Sequence, residues 1–353
     1  MKPMRNGRYG EERIAALLRQ IKADAPMAEA FWQLSWIPVI ALALSWFPVN
    51  AYSQTYPSKP VRLIVPFSTG GSIDLLARLV GRKMDEGLGV PVVVDNRTGA
   101  GGVIGVKGIA DATPDGYTIG IVSPGPTTIA TALNPRLPYS LFKDFTFVAA
   151  LASYVPAVLV SPQVPVKSVK ELIAYARANP GKLTYGSAGT GSSVHIMGEL
   201  FVRAAGIDIV HVPYKGGGPM IQDVLGGHIS LGMTSLAAAG PLIKAGKVRA
   251  LAAMDHERYK TFPDVPAVTE DLPKFEPPII WYGLLGPRGI PTQITDRLNR
   301  EAIKALGAAE VQREIVSGAY KVIGGSSRDF QELLKKDAIV MGDVVRAARI
   351  KLE

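Results

Sequence analysis

VRLIVPFSTGGSIDLL, residues 61–76, decides the fold. The apolar run of Val61, Leu63, Ile64 and Val65 stops at Pro66, paired glycines follow, and Ser72-Ile73-Asp74 opens a helical pattern. The stretch therefore reads as strand, glycine loop and helix. A helix N-terminus leaves four backbone N–H groups without internal partners and carries about half a positive charge. A glycine loop that feeds one is a seat for an anion.

The same unit recurs outward from that stretch. Ile73, Leu76, Val80 and Met84 make one apolar helix face that must pack on a sheet, and Gly87 and Gly89 end the helix. Residues 90–94 (VPVVV) are a continuous apolar strand, of the kind covered on both faces in a parallel sheet. Asp95-Asn96-Arg97 then leads to a second glycine loop, residues 99–105 (GAGGVIG), which introduces a helix over Val103–Ala110. After a turn at Pro114-Asp115-Gly116 comes a strand at 117–122 and a third junction, Ser123-Pro124-Gly125-Pro126-Thr127, with Pro126 suited to a first helical turn. Residues 145–162 run as two extended segments with no helix between them, which marks a crossing between domains. Beyond it a helix at 169–178 and a strand at 183–185 lead to the fourth junction, residues 186–192, and a helix with Met197, Leu200, Phe201 and Ala204 on one face. A strand at 209–212 leads to the fifth, residues 214–219 (YKGGGP). Strands at 229–233 and 248–254 follow, with a helix around Leu242 between them. Residues 279–285 (IIWYGLL) read as a strand returning to the first domain, and helices around Leu298 and Leu333 close the chain. In open parallel α/β sheets ligands sit outside the carboxyl ends of the strands, where all five loops lie. Two such domains can turn their loops toward one cleft, where charge-assisted hydrogen bonds are worth about 1.5–3 kcal/mol each.

The chain has 353 residues, 47% hydrophobic and 20% charged, enough for two domains of ordinary size. It has no cysteine, which removes disulfides, thiolate metal sites, a cysteine nucleophile and a lipid anchor on an N-terminal cysteine. The net charge of +9 is spread, with no basic run interleaved with aromatics, which argues against nucleic acid as a partner. Four scattered histidines give no metal-site spacing. At the N-terminus a basic segment with Arg13, Arg19 and Lys22 precedes a stretch without charge between Glu29 and Lys59. Its apolar core, residues 37–47, is followed by Val49-Asn50-Ala51, with small residues where a signal peptidase reads. Pro38 and Pro48 interrupt it, and it is shorter than the ~20 apolar residues of a spanning helix. Residues 1–53 are therefore expected to be a signal peptide cleaved near residues 51–53, leaving a periplasmic protein, with Met1 or Met27 as the initiator.

Other uses of the glycine loops fit less well. GAGGVIG spaces its glycines G-x-G-x-x-x-G, with no acidic residue placed for a dinucleotide ribose, and Lys107 lacks the GK-S/T order of a P-loop. Residues 185–189 (YGSAG) come within one residue of a G-x-S-x-G elbow, yet no pairing of His195, His211, His228 or His256 with a carboxylate is legible. His195, on a helix face, reads as structural. Ser72 and Ser192 can equally be helix caps, and Asp74 a charge favourable to the helix dipole. A secreted hydrolase, or another enzyme using the loops as an anion site, is the second function class; no catalytic residue is assigned.

Six motifs in order carry a family resemblance: VRLIVPFSTGGSIDLLARLV, VVVDNRTGAGGVIGVKGIADATPDGYTIGI, LTYGSAGTGSSVHIMGELF, HVPYKGGGPMIQDVLGG, IKAGKVRALA and WYGLLGPRGIP. From Tyr56 onward the chain resembles the Bug-type extracytoplasmic solute receptors of tripartite tricarboxylate transporters. The resemblance implies a type II periplasmic binding protein fold: two doubly wound α/β lobes joined by crossing strands, with a ligand cleft between them. Lobe I is expected at 54–154 and 278–353, and lobe II at 155–277. It further implies a small organic acid as ligand, permease subunits as membrane partners, a monomer, and neither catalysis nor a cofactor or metal. Carried onto this sequence, Phe67, Ser68, Thr69, Gly70 and Gly71 form the loop that seats the ligand carboxylate, and Asp74 is the acid that follows it. Ser187, Ala188, Gly189, Thr190 and Ser192 form the opposing loop, Ser123 and Thr127 the third, with Tyr214 and Thr234 completing the site. Two departures touch ligand choice. Ser68-Thr69 stands where small or proline residues are frequent, and Thr234-Ser235-Leu236-Ala237 lacks the Asp or Asn often found there. An ammonium group needs a counter-charge, so an amino acid is disfavoured; dicarboxylates, tricarboxylates and aromatic acids stay open.

Overall fold

The computed structural model describes residues 56–348, so the expected signal peptide lies outside the described residues. In the first third, β1 (Val61–Val65), α1 (Ser72–Leu88), β2 (Val92–Asn96), α2 (Val103–Ala110), β3 (Thr118–Val122) and α3 (Ala130–Leu133) alternate. The long strand β4 (Phe145–Tyr154) then passes, through Val155 alone, into β5 (Pro156–Val160). Next come α4 (Val169–Ala178), β6 (Thr184–Ser187), α5 (Ser193–Ala205), β7 (Val210–Pro213), α6 (Gly217–Gly226), β8 (Leu231–Ser235), α7 (Leu236–Lys244), β9 (Arg249–Ala253) and α8 (Val268–Asp271). The last part holds β10 (Ile280–Pro287), α9 (Thr292–Gly307), α10 (Ala309–Ser317), β11 (Tyr320–Val322) and α11 (Ser327–Ala347).

Two sheets result, ordered β11-β4-β10-β3-β1-β2 and β7-β6-β8-β5-β9. In the first, β1 lies parallel to β2 and β3, while β10 runs antiparallel to β3 and β4. In the second, β6 lies parallel to β7 and β8, while β5 runs antiparallel to β8 and β9. Each sheet is thus a parallel βα unit with one reversed strand inserted in its interior, next to the chain's crossing to or from the other sheet, and the first sheet has a second reversed strand, β11, on its edge beside β4. This is the expected type II periplasmic binding fold, with two α/β lobes joined by crossing strands.

The helices cover the sheets for the reason their spacing predicts. On α1, Ile73, Leu76, Ala77, Val80, Met84 and Leu88 are buried, each large side chain removed from water contributing about 1.5–3 kcal/mol. The helix ends where Gly89 takes φ 73°, and its N–H donates to Asp85 O. Leu63 and Ile64 are buried on opposite faces of β1, which is why that strand reads as an unbroken apolar run.

Several strands run past their apolar residues at the carboxyl end. Polar Ser187 pairs with Pro213, and Ser235 with Pro156, so the ladders continue past the apolar residues into the loops. At the other end of β2, Pro91 has no N–H to donate and stands outside the strand, although its carbonyl accepts from Val61 N–H at 2.9 Å. The third junction opens with a π-turn, Gly125–Ile129, in which the N–H groups of Thr127 and Ile129 both donate to Pro124 O.

Candidate ligand cleft

The loops at the carboxyl ends of both sheets meet face to face. Ser68 N–H donates to Lys215 O at 3.0 Å, and Gly125 N–H to Ser193 Oγ at 2.9 Å. The approach is backbone to backbone. A Cβ on Gly101 would sit 2.2 Å from the carbonyl oxygen of Thr190, and one on Gly218 would sit 2.2 Å from that of Thr69. Between these seams lies a cavity of about 30 Å³, room for roughly two waters at 10–15 Å³ each. Anything larger enters only when the lobes part.

Of the residues expected at the site, Phe67, Gly71, Ser123, Ala188, Ser192 and Thr234 line this cavity. The others stand around it. Thr69 and Thr190 form the seams just described, and the Ser68 hydroxyl is buried against Gly216 with no hydrogen-bond partner among the described residues. Thr127 is fully buried and spends its hydroxyl on Ser123 O at 2.6 Å. Gly189 lies against Tyr214 O, and the Tyr214 hydroxyl donates to Asp223 at 2.6 Å rather than toward the cavity.

Asp74 stands behind the loop and does not line the cavity. Its carboxylate accepts from Gly70 N–H at 3.1 Å and Asn96 Nδ2 at 2.9 Å, and pairs with Arg78 at 2.9 Å. Asn96 also donates to Phe67 O at 2.9 Å. Asp74 therefore holds the 67–71 loop from behind, and its acceptor sites are spent before a ligand arrives.

Several lining residues were not among those expected: Ser72, Ile73, Ser193, Val194, Gly217 and Met233, together with Tyr154 and Tyr282 on the crossing strands. The two tyrosine rings stack at 4.6 Å, and Ser72 Oγ lies 2.6 Å from the Tyr282 hydroxyl. Tyr320 OH donates to Ser72 O at 2.9 Å. Burial first, and the neighbouring phenols next, push the Tyr282 hydroxyl well above its usual range, so it stays protonated. The readable signal was position: polar aromatics at the ends of the two segments that cross between lobes.

No lining residue among those described carries a charge. What converges instead is backbone: Gly71, Ser72 and Ile73 from α1, Ser192, Ser193 and Val194 from α5, and Gly217 from α6. The caps differ. On α5, Ser192 Oγ accepts from His195 N–H at 3.3 Å, whereas Gly71 and Gly216 offer α1 and α6 no side-chain cap. The first amides of α1 and α6 are thus left for another acceptor.

The family profile described as "Tripartite tricarboxylate transporter family receptor" matches residues 76–350. The chain belongs to that family. Among its relatives, protein BugT of Bordetella pertussis is 38% identical over 280 residues, covering 78% of this chain and 85% of BugT. An R. palustris protein solved with adipate is 34% identical with a TM-score of 0.80, covering 84% of this chain and 99% of that one. MatC from Rhodopseudomonas palustris, solved with bound malate, is 32% identical with a TM-score of 0.78, covering 82% and 100%. Solved members of this family are periplasmic binding proteins, and the chain has the solute-binding receptor role of its family.

The hydrolase alternative meets an obstacle in the geometry. Ser187 Oγ does lie 2.7 Å from His211 Nε2, but Ser187 is fully buried and the ring beside His211 is His195, not a carboxylate. Ser187 is also not among the residues that line the cavity.

Proposed function

We propose that this protein is a periplasmic receptor that closes on a small carboxylate between its lobes and hands it, as a monomer, to the permease subunits of a tripartite transporter. The observation that carries the reading is the cavity wall, which helix N-termini reach from both lobes and, among the described residues, no charged side chain reaches. Each such terminus favours an anion by about 0.3–1 kcal/mol when exposed and up to ~2 kcal/mol when partly buried. A micromolar receptor needs about 8 kcal/mol, so amide hydrogen bonds and burial on closure must supply most of it. Adipate and malate in the two R. palustris relatives support the carboxylate class. Thr234 on the wall supplies no counter-charge for an ammonium, which supports an acid over an amino acid. The signal-like character of residues 1–53 supports secretion.

The test is a thermal-shift screen of the mature protein against mono-, di- and tricarboxylates, followed by calorimetry of the best ligand and its methyl ester. Esterification removes charge and little shape, and should weaken binding at least tenfold. An ester that binds as well as the acid defeats the anion reading while leaving the family assignment intact.

A further inference from the structure

Behind the second-lobe wall lies a polar cluster that the cleft itself does not use. It joins Tyr185 and Ser187 of β6, His211 of β7, and His195 and Glu199 one turn apart on α5. Ser187 Oγ lies 2.7 Å from His211 Nε2 and accepts from Gly189 N–H at 3.1 Å. Gly191 N–H donates to His195 Nδ1 at 3.1 Å. The two imidazoles stack at 4.1 Å. Tyr185, whose ring lies 4.9 Å from His211, donates its hydroxyl to Glu199 Oε1 at 2.6 Å, and His195 Nε2 stands 4.0 Å from the same oxygen. The loop alternates accordingly: Ala188 and Ser192 line the cavity, while the amides of Gly189 and Gly191 are held from behind.

A backbone N–H can only donate, so the Nδ1 that receives it carries no proton, and the ring proton sits on Nε2, facing Glu199. A second proton on His195 would have to enter at Nδ1, directly against the Gly191 N–H. We propose that His195 and His211 are positioning residues for the ligand loop of the second lobe, and that protonating His195 releases Gly191 and loosens the 188–192 wall. Burial and the neighbouring His195 lower the His211 pKa to about 3, so the partner ring stays neutral and cannot share the added charge. Among the titratable groups on the elements packed against His195 are His211 from β7, whose ring stacks on it, and Glu199 from its own helix, which also accepts from Tyr185 of β6. Glu199 pulls toward the imidazolium, and the lost Gly191 bond opposes it. Ligand binding should therefore weaken on acidification through this loop, over and above any titration of the ligand.

The consequence for affinity rests on the proposed carboxylate site; the release of Gly191 does not. The first arm uses the ligand-free mature protein labelled with ¹⁵N, followed by imidazole and amide NMR from pH 8 to pH 4.5. His195 should show an unprotonated Nδ1 at pH 8, and the Gly191 amide should move with the titration of that ring. A δ-protonated tautomer at pH 8, or a Gly191 amide indifferent to the titration, overturns the proposal. The second arm measures adipate and malate affinity at pH 7.5 and pH 5.0 for the wild type and His195→Asn. The asparagine oxygen occupies the Nδ1 position without titrating. The wild type should lose at least tenfold more affinity on acidification than His195→Asn, whose own change reports the ligand's titration. Equal losses overturn the coupling to the site. Failure of both acids to bind at either pH counts against the carboxylate reading, and the NMR arm still decides the role of His195.

Discussion

Gly101→Ala separates contact between the lobes from strain within one of them. Gly101 sits at φ 61°, a left-handed conformation in which alanine costs about 1 kcal/mol. Its added Cβ would also lie 2.2 Å from Thr190 O on the opposite lobe. Carbon and oxygen rest no closer than about 3.3 Å, so the two loops must retreat by roughly 1 Å. Gly125 N–H bonds to Ser193 on the same rim at 2.9 Å, and a shift of that size takes it out of hydrogen-bond range, forfeiting about 0.5–1.5 kcal/mol. Gly89→Ala is the control, because φ is 73° there and nothing lies within 4 Å of the new Cβ. Gly89→Ala should lose about 1 kcal/mol in denaturant unfolding, and Gly101→Ala about 1.5–2.5 kcal/mol once the Gly125–Ser193 bond is included. Only Gly101→Ala should lose affinity, by ten- to a hundredfold, or about 1.4–2.8 kcal/mol, for the tightest carboxylate in calorimetry. Small-angle scattering should show its liganded form more open than that of the control. If the two variants bind alike, the closed seam is not the conformation that holds ligand.

The remaining predictions concern titration, the cavity wall and the N-terminus. Burial raises the pKa of Asp337, which accepts from Thr128 Oγ1, from 3.8 to about 6. Folding therefore favours its protonated form, and stability is lost as pH rises through that window, by about 1–3 kcal/mol. Asp337→Asn should then stabilise at pH 7 and not at pH 4, and equal effects at both pH values would remove the argument. His211 has the opposite sign: its folded pKa of about 3 lies below the unfolded 6.5. Its contribution is full above pH 6.5 and falls by about 1.4 kcal/mol per pH unit below it, so His211→Asn should flatten the acid limb of a stability–pH curve. Tyr282→Phe keeps the stack on Tyr154 and strips Ser72 of its partner; it should cost about 1–2 kcal/mol in unfolding and weaken ligand three- to tenfold in calorimetry. The mature protein should begin within a few residues of Tyr52 by intact mass, and a full-length chain in the membrane fraction would refute the signal reading.

The five glycine junctions and the crossing at residues 145–162 were legible because each is a local pattern, an apolar run broken by glycine and followed by helical spacing. What was illegible depends on partners far along the chain. Tyr154 and Tyr282 read as apolar strand residues, and become a cavity floor only because β4 and β10 pair. Asp74 was visible as an acid after a glycine loop, but the sequence does not say that Asn96, at the end of β2, and Arg78, one turn on, consume its oxygens. The pairing of Ser187 with His211 likewise needs β6 and β7 side by side.

Glycine at the two uncapped N-termini serves two physical ends at once. A serine or aspartate at Gly71 or Gly216 would fold back and occupy the first amides of α1 or α6, as Ser192 does on α5. It would also bring side-chain atoms into a seam where a Cβ on Gly216 already falls 2.2 Å from Ser68 Oγ and one on Gly71 falls 3.4 Å from Gly217 N. Free amides and close approach therefore have one cause, the lack of a side chain. We therefore predict that the anionic group of a ligand sits at the α1 and α6 termini, one from each lobe, with closure completing its coordination, and a crystal structure with adipate or malate bound checks it. In that structure a second acceptor on the ligand should meet Ser192 and Ser193, with the stacked tyrosines against whatever lies between; an anion bound elsewhere on the wall refutes the assignment.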